Sequence, residues 1–183
     1  AEVDLLTTTL TAFDALGMGD EVKVLLNDRR VLRDLLTASG IPEDNQDAAL
    51  IALDKRDKIG DEGVRTELLE KEICGEAEAK RLLEAVDFLR GLTGPEDAPL
   101  RDGHVTLPSG GELTLYDLPE IVRATKELLP ESTVEFDVTM VRGMGYYTGP
   151  IFEVAHKDRN FSVAGGGRYD KVVGRWLGRD VPA

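Results

Sequence analysis

The sequence predicts an α+β fold, an antiparallel sheet flanked by helices with a helical subdomain inserted into it. Three observations predict this. Runs at 21–26, 134–141, 149–155 and 161–164 have the apolar content or alternation of strands. A charge-rich stretch at 43–95 has helical periodicity and is flanked by breakers, the mark of an insert. The strands after Pro130 are joined by short connections, which favours antiparallel pairing.

Each element follows from local chemistry. Val3, Leu6, Leu10, Phe13 and Leu16 are spaced for one helical face over 2–16, and Gly17 and Gly19 end it. A strand is expected over Glu21–Leu26, then a short helix capped by Asn27-Asp28 and running to Leu36, broken by Gly40-Ile41-Pro42. The charge-rich block divides into helices at 44–54, 61–73 (opened by Gly60-Asp61) and 76–92. The last carries Ala79, Leu82, Leu83, Val86 and Leu89 on one face, and Thr93-Gly94-Pro95 closes the block. His104–Leu107 and Glu112–Tyr116 form a hairpin around Pro108-Ser109-Gly110-Gly111. A helix over 117–129 has Asp117 as N-cap and Pro119 in its first turn. Three strands and a helix over 169–177 complete the chain.

Composition bounds the function. With 183 residues the chain can build one core, alone or with a small insert. No apolar run approaches the roughly 20 residues of a membrane span, and the acidic start Ala1-Glu2-Val3-Asp4 is unlike a signal peptide. The single cysteine, Cys74, cannot form an internal disulfide, as suits a cytoplasmic protein. Net charge is −13, all of it in residues 1–129, which hold 28 acids against 15 bases, whereas 130–183 balances seven against seven. Such a surface repels phosphates within a Debye length of roughly 8 Å, so the chain alone is expected to grip nucleic acid poorly. His104 and His156 have no metal-site spacing, and no metal site is expected.

Two stretches could carry chemistry. Val141-Arg142-Gly143-Met144-Gly145-Tyr146-Tyr147-Thr148-Gly149 sets an arginine between a strand and a Tyr-Tyr turn. An arginine fork suits phosphate or carboxylate, and adjacent tyrosines on extended chain face opposite sides. Val163-Ala164-Gly165-Gly166-Gly167-Arg168-Tyr169-Asp170 sets glycines after a strand, where a ligand can approach the backbone. It lacks the Lys and Ser/Thr of a P-loop and the spacing of a dinucleotide fingerprint. Each stretch alone also reads as half-buried aromatics or a loop. Together, at strand ends of one sheet, they could form a polar small-molecule pocket.

Arg142-Gly143-Met144-Gly145-Tyr146-Tyr147-Thr148-Gly149 and Gly166-Gly167-Arg168-Tyr169-Asp170 resemble the two histidine-specific motifs of histidyl-tRNA synthetases. Phe152-Glu153, Val24-Leu25-Leu26-Asn27-Asp28-Arg29-Arg30 and Leu53-Asp54-Lys55-Arg56-Asp57-Lys58-Ile59 extend the resemblance over nearly the whole chain. It implies part of a class II synthetase antiparallel sheet, with catalytic-domain parts at 1–42 and 96–183 and the family's helical insertion at 43–95. It implies Arg142 as the catalytic arginine at the α-phosphate of ATP and the histidine carboxylate. It implies Tyr147 at the imidazole, with Tyr146 also in the histidine pocket, Tyr169 as a second wall, Gly165 and Gly166 as backbone floor, and Gly167, Arg168 and Glu153 as supporting residues. Gly145 departs from the family, many members of which carry an acid there. The implied substrates are histidine, ATP with Mg²⁺, and tRNA(His), and the implied parent is a cytoplasmic homodimer off the membrane. Segments like motifs 1, 2 and 3 and the anticodon-binding domain are not found, so the chain alone is expected to be inactive and to bind no cofactor. The alternative is the non-catalytic paralogue that senses histidine as regulatory subunit of ATP phosphoribosyltransferase, which lacks most of the helical block.

Overall fold

The computed structural model describes residues 1–92, 98–141, 146–159, 161–179 and 181. The fold is α+β, as expected. Helix α1 (Glu2–Ala15) buries Leu6 and Leu10 and has Glu2 and Asp4 at its positive end. It ends in a Schellman turn: Gly17, at φ 75°, lets Met18 N donate to Phe13 O and its own N to Asp14 O.

Strand β1 (Val22–Asp28) is buried along almost its whole length. Its last two residues act differently from one another. Asp28 caps α2 (Arg29–Ala38) by accepting from Arg30 N, whereas the Asn27 amide donates to Val138 O and Met140 O and caps nothing. Helices α3 (Gln46–Leu53), α4 (Arg56–Glu70) and α5 (Glu76–Arg90) pack through Leu50, Val64, Leu68, Leu82, Val86 and Leu89. Gly60, at φ 68°, kinks α4 at the point where the sequence placed a helix start. The breaker Thr93-Gly94-Pro95 lies outside the described residues. A short helix, α6 (Ala98–Asp102), follows, and periodicity gave no sign of it.

The hairpin forms as read, β2 (His104–Thr106) against β3 (Glu112–Thr114), and packs on α2. In α7 (Leu118–Leu128) Asp117 does not cap; its carboxylate accepts from Arg30 Nη2 at 2.8 Å instead. The pairing of Arg30 with two carboxylates outcompetes the local cap.

Strands β4 (Val134–Phe136), β5 (Pro150–His156) and β6 (Ser162–Gly167) join β1 in one sheet ordered β4-β1-β5-β6. β5 is antiparallel to both neighbours, but β4 runs parallel to β1, so the sheet is mixed where short connections suggested antiparallel throughout. The strand expected over 134–141 stops at Phe136. The Asp137 carboxylate accepts from Thr139 N and Oγ1 (2.8 and 2.6 Å), an Asx turn that pulls the chain off the ladder.

Register assigns the two faces, since paired residues point the same way. Val22, Val24, Leu26, Val134, Phe136 and Val154 form one face, with α7 packed against it and α1 against α7. Lys23, Leu25, Glu135, Glu153 and Ala155 form the other, which is open. Helix α8 (Asp170–Leu177) closes the description with no fully buried residue.

Candidate functional site

The two tyrosine and glycine motifs are hydrogen-bonded to each other. Thr148 N donates to Arg168 O at 2.7 Å, and Arg168 N donates to Pro150 O at 2.9 Å. The Thr148 hydroxyl adds a bond to Asp170 Oδ2 at 3.0 Å. The first motif thus enters β5 while the second leaves β6 beside it. Gly149 O accepts from Arg29 N at 3.0 Å, which ties the same turn to the start of α2.

The glycines of β6 lie in the ladder, opposite Ile151, Phe152 and Glu153. Sequence reading ended this strand at Ala164. It continues because large side chains across the strand use the room that missing Cβ atoms leave. A Cβ on Gly166 would lie 2.7 Å from the Phe152 ring. One on Gly167 would lie 2.9 Å from both Ile151 Cγ2 and Tyr147 Cδ1, so the Tyr147 ring seats directly over Gly167. Gly165 is exposed beside Glu153 on the open face, and Gly166 points to the opposite, packed face.

Tyr147 is half-buried, and its ring meets the Tyr146 ring edge-on with centroids 4.5 Å apart. Tyr146 is 48% exposed and Tyr169, at the start of α8, is 44% exposed. Both offer a surface rather than filling the core. Arg168 is turned away to another task. Its guanidinium pairs with Glu2 of α1 at 2.5 Å and its methylenes cover Gly149. Arg142 and Gly145 lie outside the described residues, and only the approach to Arg142 is described. Asn27 holds that approach by its bonds to the carbonyls of Val138 and Met140.

A cleft of about 550 Å³ opens on the same face of the sheet. Glu153 lines it together with Lys23, Leu25, Asp54, Asp57, Asp137 and Val141. Lys23 is held by Glu135 at 2.7 Å. Carboxylates outnumber cations along the described walls, an environment that favours a cationic group on a ligand. Among the expected residues that are described, Glu153 alone lines this cleft; the tyrosines and glycines stand along the strands beside it. A larger hollow of about 610 Å³, walled by Leu26, Leu118, Val122 and Phe136, lies on the other face, away from the motifs.

Sequence reading passed over Thr148, Asp170 and Glu2, which fasten the site together. Thr148 and Asp170 stand inside the quoted motifs, so the signal was present; Glu2, at the far end of the chain, gave none. His156 has structural partners, Asp158 N on Nδ1 at 3.1 Å and the Phe161 ring. Burial and the nearby Glu78 charge push the Cys74 thiol above its ordinary pKa, against a nucleophilic role. Among the described residues no group of three or more His, Cys, Asp or Glu could hold a metal ion, and no helix is long and apolar enough to cross a membrane.

Comparison with known proteins bears on the whole chain. A family model described as histidyl-tRNA synthetase matches residues 1–183. The histidine–tRNA ligase of Leifsonia xyli subsp. xyli is 43% identical over 193 aligned residues, covering 100% of this chain and 42% of that protein. That of Aeropyrum pernix is 36% identical, covering 100% of this chain and 40% of the relative. The fold is shared with the crystal structure of histidyl-tRNA synthetase from Nostoc sp. PCC 7120, at TM-score 0.74 and 23% identity over 100% of this chain and 43% of that one. A structure from Bacillus halodurans, described as an ATP phosphoribosyltransferase regulatory subunit/histidyl-tRNA synthetase, has TM-score 0.69 and 20% identity over 100% and 45%. The chain spans less than half the length of these relatives.

Proposed function

The chain belongs to the histidyl-tRNA synthetase family, and on that premise we propose that the whole protein to which it contributes is a histidine–tRNA ligase. The observation that carries this is the direct hydrogen bonding of the two motifs, Thr148 to Arg168 and Arg168 to Pro150, which gathers their tyrosines and glycines at one edge of the sheet. In the first step a histidine carboxylate oxygen bonds to the α-phosphorus of ATP and the bond to the leaving pyrophosphate breaks; Mg²⁺ carried by the ATP would offset the phosphate charge. In the second a terminal ribose hydroxyl of tRNA(His) attacks the mixed anhydride and AMP leaves.

The chain's residues divide this work. Arg142, at the end of the segment held by Asn27, stabilises charge on the α-phosphate. Tyr147, braced on Gly167, offers its hydroxyl to an imidazole nitrogen, so an apolar side chain would leave that hydroxyl unpaired. Tyr146 and Tyr169 wall the pocket, and Gly165 and Gly166 floor it. Glu153 is a supporting carboxylate for the histidine ammonium. Helices α3–α5 are the family's insertion, within residues 43–95, and the flanking segments 1–42 and 96–183 are catalytic-domain parts. The active protein is a cytoplasmic homodimer, and residues 1–183 alone do not turn over.

The family's regulatory paralogue would bind histidine without forming the adenylate. The helical block and the retained Arg142 favour the ligase, as do curated relatives at 36–43% identity that are ligases. Histidine-dependent ATP–pyrophosphate exchange by the full-length protein tests the choice. Exchange in the wild type, lost in Arg142→Ala with histidine binding retained, supports the ligase. Histidine binding with no exchange would overturn it.

A further inference from the structure

Lys171 and Arg175 stand one turn apart (i, i+4) on helix α8, and Arg179 follows just past the helix, after its left-handed C-cap Gly178. Four residues of helix rise about 6 Å, so Lys171 and Arg175 lie about one turn apart, and Arg179 joins them along one groove. All three are exposed and, among the described residues, none has an ion-pair partner. Many other cations in this acidic chain are tied down: Lys23 to Glu135, Lys55 and Lys71 to Glu67, Arg65 to Glu76, Arg168 to Glu2. Gly174 on the helix and Gly178 at its C-cap lie among the cations, and the five residues line a shallow groove of about 490 Å³. With no side chains at those two positions, a charged backbone can lie close along the helix. The apolar side of the helix, Val172, Val173 and Trp176, points elsewhere, so a neighbour packed on that side leaves the cationic row outward.

We infer that this row is a phosphate-tracking surface for RNA, placing the tRNA backbone beside the site. It rests on the proposed ligase reading and adds where part of the tRNA is gripped. An RNA strand carries a phosphate at every nucleotide, so three cations lining one groove can meet two or three of them. Net charge of −13 makes an unpaired basic row the place where a polyanion is least repelled.

The test uses the full-length protein and a labelled tRNA(His) transcript, with binding measured by filter retention across KCl concentrations. Three proteins are compared: wild type, the triple variant Lys171→Gln/Arg175→Gln/Arg179→Gln, and a charge-matched control Arg101→Gln/Arg123→Gln/Lys126→Gln by the opposite face. The row variant is expected to lose about 2–3 from the slope of log affinity on log salt. Its KM for tRNA in aminoacylation is expected to rise about tenfold while tRNA-independent pyrophosphate exchange stays at the wild-type rate. An unchanged slope with intact exchange would overturn the inference, as would an equal loss in the control. Binding to phosphatidylglycerol vesicles that the row variant loses, with tRNA binding unaffected, would also overturn it and assign the row to a membrane surface. Absence of exchange in the wild type would sink the ligase reading instead, and the tRNA slope would still decide the inference.

Discussion

A methyl group on Gly167 would meet Ile151 Cγ2, Tyr147 Cδ1 and Pro150 O within 3.0 Å. Three neighbours from two directions leave no easy relaxation, so Gly167→Ala is expected to cost about 1–3 kcal/mol in urea denaturation. If Tyr147 reads the imidazole, the same variant should also raise the KM for histidine, because the ring it displaces is the one that binds. Tyr147→Phe in the full-length protein should raise that KM about tenfold or more, the worth of a hydrogen bond in a desolvated site, with folding stability little changed. Tyr116 gives a residue-level test of pH. Its hydroxyl donates to Asp34 at 2.6 Å, and that bond, with burial and the Asp34 charge adding, pushes its pKa up to about 12. The folded state thus holds the proton longer than the unfolded chain. The stabilisation is complete below the ordinary tyrosine value of about 10 and is lost as pH rises through about 12. Tyr116→Phe should flatten the fall of the urea midpoint across that window; an equal fall in both proteins would refute the assignment.

At the scale of elements, caps and turns decide what periodicity does not. Helix α4 ends in a Schellman turn, Ile73 N to Leu68 O and Glu72 N to Leu69 O, with Glu72 at φ 53° where glycine is usual. Glu72→Gly should therefore stabilise the protein by about 0.5–1 kcal/mol, read as a rise in urea midpoint. Asp28 both caps α2 and pairs with Arg30 through Nε and Nη2. Asp28→Ala should cost about 3 kcal/mol, roughly 1 for the cap and 2 for the charge-assisted bonds to a partly exposed arginine. Asp28→Asn should recover most of the cap. Element types were largely legible from periods of 3.6 and 2, down to the helix break at Gly60. Ends were not, where side chains bind something distant: Asp117 turns to Arg30, and Asp137 folds over Thr139. The parallel course of β4 was hidden because its partner lies more than a hundred residues earlier, where local pattern carries no information.

For the whole molecule, the motifs made the site legible sooner than the fold. Glycine and tyrosine are specific where backbone and ring must fit together, as at Gly167 and Tyr147. What holds the motifs to each other was less visible, since Glu2 reaches Arg168 across almost the full chain. Glu2→Gln should leave the sheet intact yet loosen that tie, seen as faster hydrogen exchange at the amides of Thr148 and Arg168, which donate to Arg168 O and Pro150 O.

The place of β1 between β4 and β5 has a consequence for how the protein is born. β1 leaves the ribosome before both its partners, which follow only after the intervening helices have been made. Until then its apolar ladder edges have no lawful partner and are open to wrong ones. Helices α2–α5, rich in near-neighbour contacts, can collapse first and shelter it. The two motifs can then meet only after that collapse. A chain stalled before Pro150 would be partly helical, without β5 and β6, and would be a species that chaperones meet.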